Sequence, residues 1–207
     1  MSGIVGSITT GIIADGLIFN MDPSNRACYP KTGTTATDTV GNITGTLTNG
    51  TTFSNTNKGI FGFDGSDDYI TLGTPTYLKI TGDISISAWI KTTSSNAMVA
   101  ININDKWGLY FSGGGKIRFN FRNPSDDFKF VESATVINDG NWHYVMGVND
   151  QTNLKLYVDG VLDASNADGS AGTTGTSDTR IGARFNNSLY FDGNIASIQI
   201  YHQALSS

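Results

Sequence analysis

An all-β sandwich of two antiparallel sheets is the fold class this sequence predicts, and three observations predict it. Short runs alternate apolar with other residues at period two, as in ISISAWIK at 84–91. These runs follow one another at near-regular spacing, separated by Gly, Asn and Asp turn signals. Charged residues make up only 15% while Gly, Thr, Ser and Asn abound, which suits strands and loops better than helices with Glu- and Lys-covered wet faces.

The elements follow in order. Residues 17–22 (LIFNMD) read as a first strand, ended by Asp22-Pro23. Residues 24–58 are rich in Thr, Gly and Asn, with only short strand candidates such as 44–48, and read as an irregular excursion that wraps a surface or forms an edge. Strands at 59–63 and 69–72 flank the turn Asp64-Gly65-Ser66-Asp67-Asp68. Strands at 84–91, 98–103, 107–112 and 116–121 succeed one another, with Gly113-Gly114-Gly115 as a hairpin turn. The meander continues at 131–137, 142–149 and 154–158, and Asp159-Gly160 is a two-residue hairpin signal leading into VLD. Residues 164–178 form a Ser/Gly/Thr/Ala/Asp loop, flexible by composition. Strands at 180–183, 189–191 and 194–201 close the chain, with a short helical turn at 203–206.

Alternation sorts the faces. In 116–121, Ile117, Phe119 and Phe121 share the core side, and Lys116, Arg118 and Asn120 the other. In 84–91 the isoleucines and Ala88 point inward, leaving Trp89 as a large aromatic on an otherwise polar side. In 142–149, Trp142, Tyr144, Met146 and Val148 read as buried, with His143, Val145 and Gly147 opposite.

At 207 residues the chain suits a single domain over 1–207, with 1–15 as an N-terminal arm. A net charge of −5 argues against a nucleic-acid partner, which requires a basic face. Seventeen of the 18 acidic residues are Asp, which places most of them in turns. Cys28 is the only cysteine, so no internal disulfide forms. The first twenty residues lack a basic n-region and Asp15 interrupts their apolar stretch, so no signal peptide is expected. No apolar run is long enough for membrane insertion.

Seven segments in order carry a family resemblance: GLIFNMD with Tyr29-Pro30, FDGSDDYI at 63–70, ISISAWIK, DGNWHYVMGV at 139–148, LKLYVDG at 154–160, RIGAR at 180–184 and FDGNIASIQIYHQALS at 191–206. Together they resemble the laminin-G-like, concanavalin A-like domain family over nearly the whole chain. The resemblance implies a jelly-roll sandwich with its first and last strands adjacent. The opening segment resembles domains of bacteriophage virion proteins. That implies assembly in a host cytoplasm, a place in the virion, and contact with other coat proteins or self-association. The family often has an acidic pair in its last strand; this chain has Ala196-Ser197 there.

Related sandwiches that hydrolyse glycans use paired carboxylates, one to protonate the leaving oxygen and one to attack or activate water. Glu132 stands alone, and Asp126-Asp127 sits beside Pro124 in a loop, so no enzyme is expected. His143 and His202 show no metal-ligand spacing. Asp64, Asp67 and Asp68 offer hard oxygen ligands for a structural calcium, against the alternative that FDGSDDY is simply a tight turn. No other cofactor is expected. Sugars are held by aromatic faces and planar polar groups. Trp89, Tyr110, Arg118, Asn120, His143 and Tyr157 share the non-core parity of their strands and form the candidate ligand face, against the alternative that Trp89 and Tyr157 are packing residues. The expected function is a non-enzymatic virion decoration protein that attaches to cell-surface glycans. The alternatives are a free lectin or adhesion module and, last, a glycan hydrolase.

Overall fold

The computed structural model describes residues 13–206, so most of the expected N-terminal arm lies outside the described residues. The strands run β1 Leu17–Met21, β2 Thr35–Thr37, β3 Thr44–Thr48, β4 Thr52–Ser54, β5 Ile60–Asp64, β6 Tyr69–Thr71, β7 Ile84–Lys91 and β8 Ala97–Ile103. They continue as β9 Trp107–Gly113, β10 Lys116–Arg122, β11 Phe128–Glu132, β12 His143–Asn149, β13 Leu154–Val158, β14 Val161–Asn166, β15 Arg180–Ile181 and β16 Asp192–Tyr201.

Two antiparallel sheets enclose one core. The first has the order β14-β13-β12-β7-β16-β5-β4, with β1 also on β16; the second runs β11-β10-β9-β8-β15-β6-β3-β2. We call them the β7 sheet and the β9 sheet. The first and last strands pair, Met21 opposite Ile198, as the jelly-roll expectation requires. The excursion at 24–58 supplies one edge strand of each sheet, β2 and β4. It is pinned by buried Asp38, which accepts hydrogen bonds from the backbone N–H of Asn20 (2.8 Å) and Gly41 (2.8 Å) and from the Tyr77 hydroxyl (2.7 Å). Cys28 lies in the same excursion with 1% exposure, and burial pushes its thiol up to about 12.

Between the sheets, the Trp107 ring stacks on Phe121 (5.0 Å) and Phe119 (6.3 Å), and its Nε1 donates to the Ile80 carbonyl (3.0 Å). Gly147 faces the same aromatic group. A Cβ there would lie 2.2 Å from Phe119, so only glycine lets β12 approach. That contact puts Val145 and Gly147 on the inner side and Tyr144, Met146 and Val148 on the outer side, the reverse of the sequence assignment. The reason is a cover the alternation does not show. Residues 203–206 lie over this outer face, held where Ser85 Oγ donates to the Gln203 carbonyl (2.8 Å) and accepts from Leu205 N–H (2.9 Å). Met146, Val148 and Tyr157 are buried under Ala204 and Leu205. The expected helical turn there is absent; the tail follows the sheet instead.

Two expected strands also shift. The strand placed at 131–137 is β11, which begins earlier because Phe128 pairs with Arg122, and the chain leaves the ladder after Glu132. Residues 189–191 form no strand; they follow a turn closed by the isolated Arg184–Ser188 bridge. Asp159 and Gly160 have φ of 52° and 81°, the two left-handed positions of the hairpin turn their sequence signals. Among the described residues, no helix is long and apolar enough to cross a membrane.

Candidate functional site

The six residues expected to share one ligand face divide between the two sheets. Trp89, His143 and Tyr157 belong to β7, β12 and β13, whereas Tyr110, Arg118 and Asn120 belong to β9 and β10. Parity alone cannot separate two outer faces, because both alternate in the same way.

On the β9 sheet, register sets Asn102, Gly108 and Asn120 side by side on β8, β9 and β10. The Tyr110 ring folds over Gly108, where a Cβ would lie 2.4 Å from the ring. Asn102 donates through Nδ2 to the Tyr110 hydroxyl. Burial, and then the charge of Asp105, hold the Tyr110 phenol above its ordinary pKa, so it keeps its proton and can donate. Asn102 and Asn120 are both buried, and the Oδ1 of each has no hydrogen-bond partner among the described residues. Buried unpaired acceptors of this kind are uncommon and costly.

Asn120 and Tyr110 line a depression of ≈ 210 Å³ with Asp105, Arg122, Phe128, Arg184 and Leu189. Phe128 is 48% exposed and the Arg122 guanidinium lies 5.9 Å from its ring centre. Arg184 forks onto Asp105, Nε to Oδ1 at 3.1 Å and Nη2 to Oδ2 at 3.4 Å. Arg118 sits to one side, 2.6 Å from Glu132 Oε2 and over the Phe130 ring at 4.4 Å. Of the residues expected from the sequence, Tyr110 and Asn120 line this depression and Arg118 lies beside it; Arg122, Phe128 and Arg184 were not among those expected. Arg122 continues the alternation of Arg118 and Asn120 one pair further, a signal available in the sequence.

His143 does not join a ligand face. It lies at the inner-parity end of β12, with Nδ1 2.8 Å from Asp159 and Nε2 3.1 Å from Asp139. Burial alone would lower its pKa, but the hydrogen bonds to Asp159 and Asp139 outweigh that and leave it raised. A raised folded pKa stabilises the protein fully below the unfolded value of about 6.5, and the contribution is lost as pH rises through the folded value. The denaturation midpoint is therefore expected to fall between about pH 6 and pH 8, and His143→Gln to flatten that slope. Equal slopes in urea titrations of the two proteins would exclude His143 as the source. Tyr157 faces outward as expected but is covered by the tail, so it is a packing residue.

At one rim of the sandwich, carboxylate oxygens of Asp64, Asp67 and Asp68 lie within 4.8 Å of one another. With Asp192, Asn49 and Asn194 they line a depression of ≈ 540 Å³. Asp68 is 3% exposed; its Oδ2 accepts from Asp64 N–H at 3.0 Å, and its Oδ1 is buried without a partner among the described residues. Burial, then the charges of Asp64 and Asp67, raise its pKa. A Cβ on Gly50 would come within 2.9 Å of that Oδ1, so the glycine keeps the space beside it open. The turn reading holds as well, since Asp64 Oδ1 accepts from Ser66 N–H at 2.8 Å. An all-oxygen donor set with one orphaned carboxylate oxygen fits a hard divalent cation.

A family model described as the concanavalin A-like lectin/glucanases superfamily matches residues 64–207. No curated protein sequence matches the chain. Among solved structures, domain 4 of AbnA, a GH43 extracellular arabinanase from Geobacillus stearothermophilus in complex with arabinotriose, superposes with a TM-score of 0.72 at 18% identity, covering 92% of this chain and 94% of that one. The receptor-binding domain of botulinum neurotoxin mosaic serotype C/D gives 0.66 at 21% identity, covering 93% of this chain and 48% of its own. Domains LG4-5 of the mouse laminin alpha1 chain give 0.55 at 21% identity, covering 70% and 43%. At these identities the likeness is one of fold. None of the proteins named here is a virion component, so they lend no weight to the coat-protein expectation.

Proposed function

The chain belongs to the concanavalin A-like lectin/glucanase superfamily, and from that premise we propose that it is a non-catalytic saccharide-recognition module. Its site is the β9-sheet depression. The observation that carries this reading is the buried Asn120 Oδ1, an unpaired acceptor beside an exposed aromatic face and two guanidinium groups. A sugar hydroxyl donates to that oxygen, the Tyr110 hydroxyl and Arg122 donate to ring substituents, and Phe128 covers a C–H face. The depression is smaller than the sites of drug-sized ligands, which suits one ring. Arg184 is paired with Asp105 and Arg122 gives one N–H to the Asp126 carbonyl (2.9 Å); the remaining N–H groups of Arg122 favour a uronic acid over a neutral hexose.

The non-catalytic reading rests on Glu132 and the Asp126-Asp127 pair. Glu132 is held below its ordinary pKa by the Ser112 hydroxyl and then by Arg118, the wrong direction for a general acid. Asp126 is engaged by Lys106 at 2.7 Å in an exposed loop. The bound arabinotriose of the similar arabinanase domain supports a saccharide ligand.

Isothermal titration with galacturonate, glucuronate and the parent hexoses tests the proposal. Uronate binding is expected to weaken with salt and to fall at least about tenfold in Asn120→Ala, the loss of one buried hydrogen bond. Unchanged affinity in a folded Asn120→Ala, or no sugar bound, would overturn it. Attachment to cell-surface glycans is the role such a site would serve.

A further inference from the structure

The opposite outer face has its own unexplained feature. Trp89 stands near the end of β7, in the middle of the β7 sheet, with 42% exposure. Its outward-facing strand neighbours Ser85 and Ser87 are fully buried, one under the tail and the other bonded to Gln199. Tyr144 sits directly opposite it on β12, ring centres 5.5 Å apart and tilted by 49°. Trp142 is half-buried on the other side.

Trp89 is a ridge between two grooves. The larger, ≈ 430 Å³, is lined by Tyr144, Ser197, Gln199, Tyr201 and the tail residues Leu205 and Ser206, among others. The smaller, ≈ 270 Å³, lies between Trp89 and Trp142 and reaches Asn57 and Ala196. The walls are built rather than incidental: the tail that forms one of them is tied down by both Ser85 hydrogen bonds and by the Leu205 packing.

We propose that this face is a second saccharide site, which holds a neutral polysaccharide chain across Trp89 with one sugar ring in each groove. The charge of the lining points to a neutral ligand. Asp22 is the only ionisable acid or base among the described residues of both grooves, apart from the two tyrosines; no Lys or Arg is present. The available polar groups are hydroxyls and amides. Gln199 is fixed by Ser87 and Asn20 at 3.0 and 3.3 Å, while the Tyr201 hydroxyl has no hydrogen-bond partner among the described residues. The Tyr144 hydroxyl has only the Met146 sulfur at 4.0 Å. Among the described residues neither phenol meets an oxygen or nitrogen partner, so each can serve a sugar hydroxyl. The indole offers its face to sugar C–H groups, and grooves open on both sides suit the interior of a chain. A protein partner fits less well. A stable interface needs about 20–30 residues a side, and the exposed aromatic patch here is three side chains.

With the β9-sheet site, this places two saccharide sites on opposite faces. The avidity that follows rests on the reading above; the Trp89 site does not. A chain bridging two glycans, one acidic and one neutral, gains from effective concentration without new contacts.

The test uses the whole protein and neutral oligosaccharides of two to six residues from cellulose, xylan, mannan and starch, followed by intrinsic tryptophan emission and by affinity gel electrophoresis on the parent polysaccharides. At least one series is expected to shift the emission, with affinity rising from disaccharide to tetrasaccharide. Trp89→Ala should lower that affinity at least tenfold, Trp89→Phe should restore part of it, and Asn120→Ala should leave it unchanged. Circular dichroism checks that each variant is folded. No binding in any series, or wild-type affinity in folded Trp89→Ala, would overturn the proposal. So would loss of a dimer, seen by light scattering, as the main effect of Trp89→Ala. Loss of uronate binding alone, with the neutral chain still bound, would count against the β9-sheet site only.

Discussion

Trp107→Ala is expected to lower the unfolding free energy by about 3–5 kcal/mol, the largest single-residue effect in this protein. The ring is 1% exposed and stacks on Phe119 and Phe121, and its Nε1–H satisfies the Ile80 carbonyl. Removing it leaves a cavity and an unpaired buried carbonyl. It also undoes the anchorage of residues 167–178, the part of the expected loop that follows β14. A Cβ on Gly172 would lie 2.0 Å from the Trp107 ring, so the loop rests on the indole, and Gly172 and Thr173 donate to the carbonyls of Thr81 (2.8 Å) and Arg122 (3.0 Å). Composition alone made this loop flexible; packing makes it a lid on the core. Urea denaturation should show the loss at an unchanged slope, with faster proteolysis between 167 and 178. A loss under about 1 kcal/mol would mean that the indole is not the packing centre its contacts describe.

Calcium is expected to stabilise the native state through the Asp64–Asp67–Asp68 rim. At a concentration about a hundredfold above the dissociation constant, binding to the native state alone contributes about 2.7 kcal/mol. For a chain of this length that raises Tm by roughly 5–10 °C. Asp68→Asn should abolish the response, since Asp68 supplies the buried unpaired oxygen. Magnesium should do less, because it demands tighter octahedral geometry and sheds water reluctantly. Scanning calorimetry with and without calcium decides the matter. No shift at about 10 mM, well above the affinity range of extracellular calcium modules, would leave FDGSDDY as a turn and nothing more.

The period-two runs were enough to place most strands within a residue or two, because each strand carries its own inner row, as Ile117, Phe119 and Phe121 do on β10. The Asp159-Gly160 hairpin was equally local and equally legible. What alternation could not reveal was which sheet a strand joins. Trp89 and Asn120 have the same parity and face opposite ways out of the sandwich. Nor could it foresee a tail laid over one face, which turns Met146, Val148 and Tyr157 into buried residues on the outer side and inverts the apparent faces of β12. Gly147 was the clue. A glycine in a strand often marks a close approach, and here the approaching group is Phe119. Of the candidate sites, the acidic rim was contiguous in sequence and readable as such. The β9-sheet depression was only half readable, because Arg184 reaches it from a turn far along the chain.

Cys28 gives the molecule an internal clock. Its thiol is sealed in the excursion that carries one edge of each sheet, and a pKa pushed up to about 12 leaves almost no thiolate at neutral pH. A native molecule is therefore expected to react slowly with thiol reagents. Each labelling event records one opening of the segment between β1 and β2, so the rate of modification counts how often the edge of the sandwich comes undone.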